Sequence, residues 1–426
     1  MVNRGDSFLS EVIKQIKSKE AKSFVRSELG FHLKEAKRMW VEKGFDYQEA
    51  ERKAVNQMGS PIQLGQRLNK LHQPRVDWWM IFLMVIIMGL SFLPIISLWS
   101  TGYSDMSHFL SERIFLVVLT AIVVLGLMMY DYRKLEKHGW LFYSIGVVIL
   151  LVINIFPSVY LNGEPMIRII GNNFLRSFMA LPFLFLAGAS FMNNVNLKVW
   201  HHCILFLFPL YLLLSIGNFS VSFIYISMAF VMLWWSKLDK NKVLVMTVVP
   251  LIMLIIGGLY FWYNLKEYQL DKILAWLNPE NYPDEGGFIY LTVRELLSTA
   301  GWFGTSGIGE FTHSAHADFV LVSLTYNYGY LFAIVLVFIL SLFAVRMMVI
   351  AHRIHGQYAK LLLVGGITIY VVQFVYNVGM TLGIFPITSI SLPFISYGLM
   401  PTLFNTFLMG IVLSIFRRKD LTFGSV

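Results

Sequence analysis

The residues with the greatest chemical reach in this chain sit where polar groups are costly. Gln373, Asn377 and Thr381 recur at four-residue spacing in an otherwise apolar run, so they share one stripe of a helix. The run then breaks into FPITSISLPFISYG (385–398), with Pro386 and Pro393 among Ser, Thr and aromatic residues. At bilayer depth such residues are expensive unless buried in protein or lining a wet cavity, so the stretch Gln373 to Gly398 reads as the wall of a site. A second concentration of polar groups lies between about Leu265 and His316: LNPENYPDEGG (277–287), Arg294 with Glu295, a glycine series at 301, 304, 307 and 309, and then HSAHADF (313–319). A third candidate, His201 and His202 beside the single cysteine Cys203, suggests a metal. Three adjacent residues on a helix cannot all face one ion and the usual ligand spacing is missing, so an interfacial flank is the better reading.

The elements that must position these groups are set by composition. The 426 residues are 57% hydrophobic and only 14% charged, with a mean hydropathy of +0.64. This excludes a single soluble core and predicts an all-α polytopic membrane protein. Ten apolar runs are long enough, or nearly so, to cross about 30 Å of hydrocarbon as helices: 78–98, 114–131, 140–157, 174–193, 199–217, 219–235, 243–263, 319–345, 361–384 and 398–416. Lys and Arg collect on alternate connections, including Arg133, Lys134 and Lys137, then Lys237, Lys240 and Lys242, and finally Arg417, Arg418 and Lys419. By the positive-inside rule both termini are cytoplasmic and the 265–316 loop lies outside. A loop of that length with apolar and glycine-rich pieces is expected to fold back on the membrane.

Residues 1–75 read as a cytoplasmic helical domain. Helices are predicted from about Asp6, from about Lys22 to a C-cap at Gly44, from Asp46 to Gly59, and from Ser60-Pro61 to Pro74. Residues 1–77 hold 15 Lys and Arg against 10 Asp and Glu, more than half of the net +9. A basic tip suits an anionic membrane surface, and no nucleic-acid module is present. A charged segment precedes the first apolar run, so no cleavable signal peptide is expected. This tip, with SELGFHLKEA, GFDYQEAERKAV and MGSP, resembles the helical prefix domain in front of some Gram-positive permeases and sensors, which implies regulation or docking.

The pieces WLNPE (276–280), GWFGTSGIG (301–309), HADF (316–319), QFVYNVGMTLGIFPIT (373–388) and SLPFISYG (391–398) resemble the SEDS family of shape, elongation, division and sporulation proteins, the FtsW/RodA/SpoVE group. The resemblance is strong over the C-terminal third and rests on hydropathy and charge elsewhere. It implies polymerisation of lipid II at the outer face of a bacterial plasma membrane, with a penicillin-binding transpeptidase as partner. Such chemistry asks for a carboxylate base, positive charge or a divalent cation (Mg or Mn) beside the pyrophosphate, and an apolar groove for the lipid tail. The matching positions put Asn278, His316 and Asp318 at the substrate, along with Gln373, Asn377, Ser396 and Tyr397. Arg168 and Arg176 are candidates for the pyrophosphate.

The departures bear on catalysis. In the family an essential aspartate precedes the second proline of the 278–283 stretch; here Tyr282 stands there, a poor base at neutral pH. Asp284 is two residues on, with Glu280 and Glu285 nearby, and two readings stand: a relocated base at Asp284, or solvated loop carboxylates. The family's Gln-Pro-Ser-Glu and following Lys are replaced in RIIGNNFLRSFMALPF (168–183), which has no acidic residue. Ser389, Ser391 and Leu399 stand where the family usually has Gly, Pro and Gly. Arg176 reads equally as an interfacial arginine, and Asp318 with His316 reads as a structural pair capping the eighth span rather than as a catalytic one. Three functions follow: an active glycosyltransferase, a catalytically silent scaffold for a transpeptidase, or a flippase. The last would want polar groups from one face to the other, and here they thin out over the first six spans.

Overall fold

The computed structural model describes residues 4–99, 106–161, 164–170, 173–194, 196–263, 267–284, 286–305, 317–354 and 356–421. Two compact units emerge, Met1–Asp77 with Ile415–Val426, and Trp78–Ser414.

The first unit holds four helices, α1 (Arg4–Lys14), α2 (Lys19–Glu42), α3 (Tyr47–Met58) and α4 (Pro61–Leu71); α2 begins three residues before the expected Lys22. The Ser18 and Asp46 side chains accept backbone N–H groups of α2 and α3, and Gly59 takes a positive φ of 79°. The apolar faces of α1 and α2 meet in a core of Phe8, Val12, Ile16 and Val25, and Leu421 from the far end of the sequence is part of it. Around Leu421 the tail is tied by polar bonds. The fully buried Arg418 donates to Glu20 at 2.8 Å, Arg75 pairs with Asp420 at 3.3 Å, and the His72 ring bonds the Asp420 carbonyl at 2.7 Å. Nothing in the sequence pattern announces these pairings.

The second unit holds the apolar helices: α5 (Trp78–Leu90), α6 (Leu93–Trp99), α7 (Met106–Met129), α8 (Gly139–Ile155), α9 (Leu181–Asn193), α10 (Val199–Ser215), α11 (Phe219–Trp234), α12 (Lys240–Tyr263), α13 (Glu267–Leu277), α14 (Phe288–Thr299), α15 (Val320–His352), α16 (Gln357–Thr381) and α17 (Leu399–Arg417). Among the described residues seven helical stretches are long and apolar enough to cross a membrane, and three shorter ones (Ser177–Asn193, Val199–Ser215 and Phe219–Trp234) accompany them. They coincide with the ten apolar runs. The eighth is broken at Gly329 (φ 86°, ψ 170°). A Cβ there would stand 2.3 Å from the Trp302 carbonyl oxygen, because GWFG docks on the break through Tyr330 N–H to Gly301 O and Leu331 N–H to Trp302 O, at 3.1 and 3.2 Å.

Two findings differ from the sequence reading. The fourth span was expected from residue 174, yet β1 (Val159–Leu161), β2 (Glu164–Ile170) and β3 (Asn173–Leu175) form a small antiparallel sheet in order β1-β2-β3, and the helix begins only at Ser177. Short strands with alternating Met166, Arg168 and Ile170 gave too weak a period to separate from the following apolar run. In addition, α15 starts after Phe319 as N-cap, so Asp318 lies one residue outside the capping position assigned to it.

Candidate functional site

The polar stripe of α16 is buried. Gln373, Asn377 and Thr381 are 1%, 0% and 5% exposed. Gln373 donates to Ile369 O one turn back and accepts from the Asn405 amide of α17 at 3.3 Å, which makes it a helix-to-helix bond. Asn377 reaches the other way: its Nδ2 donates to the carbonyls of Ile390 at 2.8 Å and Asp318 at 2.9 Å. Its Oδ1 has no hydrogen-bond partner although fully buried. Thr381 bonds back to Asn377 O.

The loop from 382 to 398 is fixed by its own turns and by α7. Ile384 N–H returns to Gly379 O, and Phe385 covers Gly379 so closely that a Cβ would meet its ring at 2.3 Å. Ser396 Oγ accepts the Leu392 N–H at 2.8 Å and donates to Ala317 O at 2.6 Å. Phe394 takes a positive φ of 64°, a costly state for a side chain with a Cβ. Arg113, 0% exposed, holds it: the guanidinium donates to Phe394 O at 2.5 Å, to Ser396 O at 3.4 Å and to Ser91 Oγ at 3.0 Å. Tyr397 donates its hydroxyl to Glu112. Glu112 and Arg113 were passed over in the sequence because they precede the apolar run at 114; a Glu-Arg pair at the mouth of a span is the signal that could have found them.

The 265–316 loop is described up to Thr305. Helix α14 packs Val293 against Phe319, Val322 and Met380, and the Tyr290 hydroxyl accepts the Ile387 N–H at 2.9 Å. Asn278, Glu280 and Asp284 are exposed, and the Glu280–Arg294 ion pair at 3.2 Å is 74% exposed at both ends. Tyr282 accepts the Gly287 N–H through its carbonyl. His316 and Glu285 lie outside the described residues. Arg168 is exposed on β2, its guanidinium 5.6 Å from the Phe174 ring.

The charge of the exposed Arg176 is felt by Asp318 and by Glu164, a residue the sequence reading missed. Glu164, first residue of β2, feels both the Arg176 and the Asp318 charges and is hydrogen-bonded by the Asn218 side chain. Asn218, 4% exposed at the head of α11, also donates to the buried Ser177 Oγ at 3.1 Å, joining α9 to α11 beneath the cluster. Burial pushes the Asp318 carboxyl up to about 6 against the pull of Arg176. Burial likewise raises Glu164, with Arg176 and Asn218 pulling it down and the Asp318 charge adding to the rise. Glu164 escaped the sequence reading because the segment compared began at Arg168; the Asn162-Gly163 turn signal directly before it marks a hairpin tip.

Among the described residues no three His, Cys, Asp or Glu side chains could hold a metal ion. Glu164 and Asp318 both feel the Arg176 charge, and among the described residues the donor set does not fit a protein-held divalent cation. His202 is buried and bonded to the Phe191 carbonyl at 3.1 Å, a structural role. Between α10 and α12 lies an apolar groove of about 750 Å³, lined by Trp200, Ile204, Leu207, Val245, Val249 and Met253 among others.

The comparisons agree with this architecture. The family model described as "Cell cycle protein", FtsW/RodA/SpoVE, matches residues 76–421. The chain is 23% identical to a probable peptidoglycan glycosyltransferase FtsW of Geobacter metallireducens over 82% of this chain and 97% of that protein. It is 22% identical to the peptidoglycan glycosyltransferase MrdB of Escherichia coli over 81% and 95%. A shorter match, 30% identical to FtsW of Trichlorobacter lovleyi, spans 35% of this chain and 40% of that one. Among solved structures, a chain of a peptidoglycan synthase complex superposes with a TM-score of 0.66 at 22% identity, covering 81% of this chain and 98% of that one. RodA of Thermus thermophilus does so with 0.58 at 19%, covering 81% and 97%. With a match over most of its length and a shared helical fold, the chain belongs to the FtsW/RodA/SpoVE family of membrane proteins.

Proposed function

We propose that this protein binds lipid II at the outer face of the bacterial plasma membrane and supports polymerisation of glycan strands, next to a penicillin-binding transpeptidase and with both termini in the cytoplasm. The observation behind this reading is the junction of α16, the 382–398 loop and the 317–318 segment. Asn377 and Ser396 fasten these together at the carbonyls of Asp318 and Ala317, and the Asp318 carboxylate feels the Arg176 charge. A guanidinium at the outer helix ends offers the positive charge that a leaving pyrophosphate needs. A divalent cation belongs on the substrate's pyrophosphate in this reading, not in a protein cage.

The second reading is a catalytically silent scaffold, favoured by Tyr282 at the place of the family's aspartate and by the exposure of Asp284. The experiment is lipid II binding to the purified full chain by native mass spectrometry, with gel detection of glycan polymer. Retention of lipid II, reduced by Arg176→Ala, is expected; a chain that retains none under conditions where an E. coli relative does would overturn the reading. Polymer lost with Asp284→Asn would make Asp284 the relocated base; bound lipid II without polymer would favour the scaffold.

A further inference from the structure

We propose that Glu112 is a ligand-binding carboxylate, oriented by the Tyr397 hydroxyl, that accepts hydrogen bonds from the sugar and peptide part of the lipid II headgroup. This rests on the lipid II reading above and divides the headgroup, with its pyrophosphate left to the guanidinium of Arg176.

Two elements build this place. On α7, Phe109, Glu112 and Arg113 are three and four residues apart and share one face of the helix, and they meet the last turn of the 382–398 loop. The Tyr397 hydroxyl donates to Glu112, and the Phe109 ring packs edge-on against the Tyr397 ring at 5.2 Å. Beneath them the fully buried Arg113 donates to the carbonyls of Phe394 and Ser396. The phenol is thus fixed through its ring, its hydroxyl and the backbone before it, and it fixes Glu112 in turn. Ser396 Oγ donates to Ala317 O, which ties the same turn to the segment leading to Asp318. Glu112 is nevertheless open: its side chain is 37% exposed, with the exposed ring of His108 at 3.8 Å. Arg113 already anchors the loop, so a half-exposed carboxylate at the end of a span calls for a reason beyond anchoring.

Chemistry decides what such a group takes. An ionised carboxylate has about four lone-pair positions and no donor, and one bond from a phenol leaves acceptor capacity on it. Burial and the bond to Glu112 push the Tyr397 phenol above its usual range, against the pull of Arg113, so the phenol keeps its proton and stays the donor of the pair. A carboxylate repels a pyrophosphate. Sugar hydroxyls, acetamido N–H and peptide N–H groups are the donors that lipid II carries away from its phosphates, and a bond from one of them to a charged acceptor is stronger than a neutral one.

The test uses the purified full chain with two ligands, lipid II and undecaprenyl pyrophosphate, which has the phosphates and tail without sugar or peptide. Glu112→Gln is expected to weaken lipid II binding by about tenfold, the scale of one hydrogen bond to a charged group, and to leave undecaprenyl pyrophosphate at native affinity. Tyr397→Phe, which releases the carboxylate, is expected to weaken lipid II by a smaller factor with the same selectivity, and the double variant to lose less than the product of the two. Lipid II without its pentapeptide is a third ligand: a Glu112→Gln loss that persists there assigns the contact to sugar donors, and one that vanishes assigns it to the peptide. Native binding of undecaprenyl pyrophosphate shows that a variant is folded; where Glu112→Gln loses both ligands, the selectivity of Tyr397→Phe decides. Lipid II bound equally by the native chain and both variants, or both ligands weakened alike in Tyr397→Phe, would overturn the assignment and leave the binding reading intact. A native chain that binds no lipid II would overturn both.

Discussion

Two loops at the same end of the helices differ in how they are held. In the 382–398 loop the stretch 390–396 is largely buried and tied by side chains: Arg113 to Phe394 and Ser396, Ser396 to Leu392 and Ala317, Asn377 to Ile390. The 278–287 loop is exposed and held by turns of its own backbone and one solvent-facing ion pair. Buried backbone groups without partners are costly, so the first loop tolerates little change of residue type. The second can exchange residues freely, since its side chains are mostly exposed and strand no buried partner.

The difference can be broken by substitution. Arg113→Ala strands the Phe394 and Ser396 carbonyls, and at about 1–3 kcal/mol for each buried unsatisfied group it is expected to cost several kcal/mol, read as the thermal midpoint of the detergent-purified chain. A loss no larger than that of an exposed substitution would show that the loop is not held by this arginine. Ser396→Ala removes two bonds and is expected to cost about 1–3 kcal/mol in the same measurement. A smaller, pH-dependent effect is expected from Asp318→Asn. Its carboxyl titrates near 6 in the folded chain against 3.8 ordinarily. The folded state therefore holds its proton more tightly, and stability due to this group is present below about 3.8 and lost as pH rises through about 6. The variant should gain on the native chain across that window and keep a constant advantage above it; an advantage that shrinks with rising pH would contradict the burial of Asp318. Smallest is Glu280→Gln, whose exposed pair should change stability by about 0.5 kcal/mol or less.

Much of this was legible in the sequence. The ten apolar runs, the cap at Asp46 and the polar stripe from Gln373 to Thr381 follow from local periodicity, charge and capping residues, and these are short-range signals. What escaped is long-range. Arg113 is bonded to carbonyls 281 and 283 residues away, and no spacing rule couples a second span to a turn before the tenth. The sheet that opens with Glu164 escaped because its strands have too few residues for a clear period. Helical spacing puts Gln373 and Asn377 on one stripe, but it does not say that Gln373 bonds Asn405 while Asn377 bonds the loop.

The Arg418–Glu20 bond and the place of Leu421 in the core of α1 and α2 have a bearing on biogenesis. A ribosome delivers residues 4–71 first, but their core lacks Leu421, and Glu20 lacks its guanidinium, until every span has been threaded into the bilayer. The unit of α1 to α4 is thus closed only by residues that follow α17, and its completion waits on all the helices between.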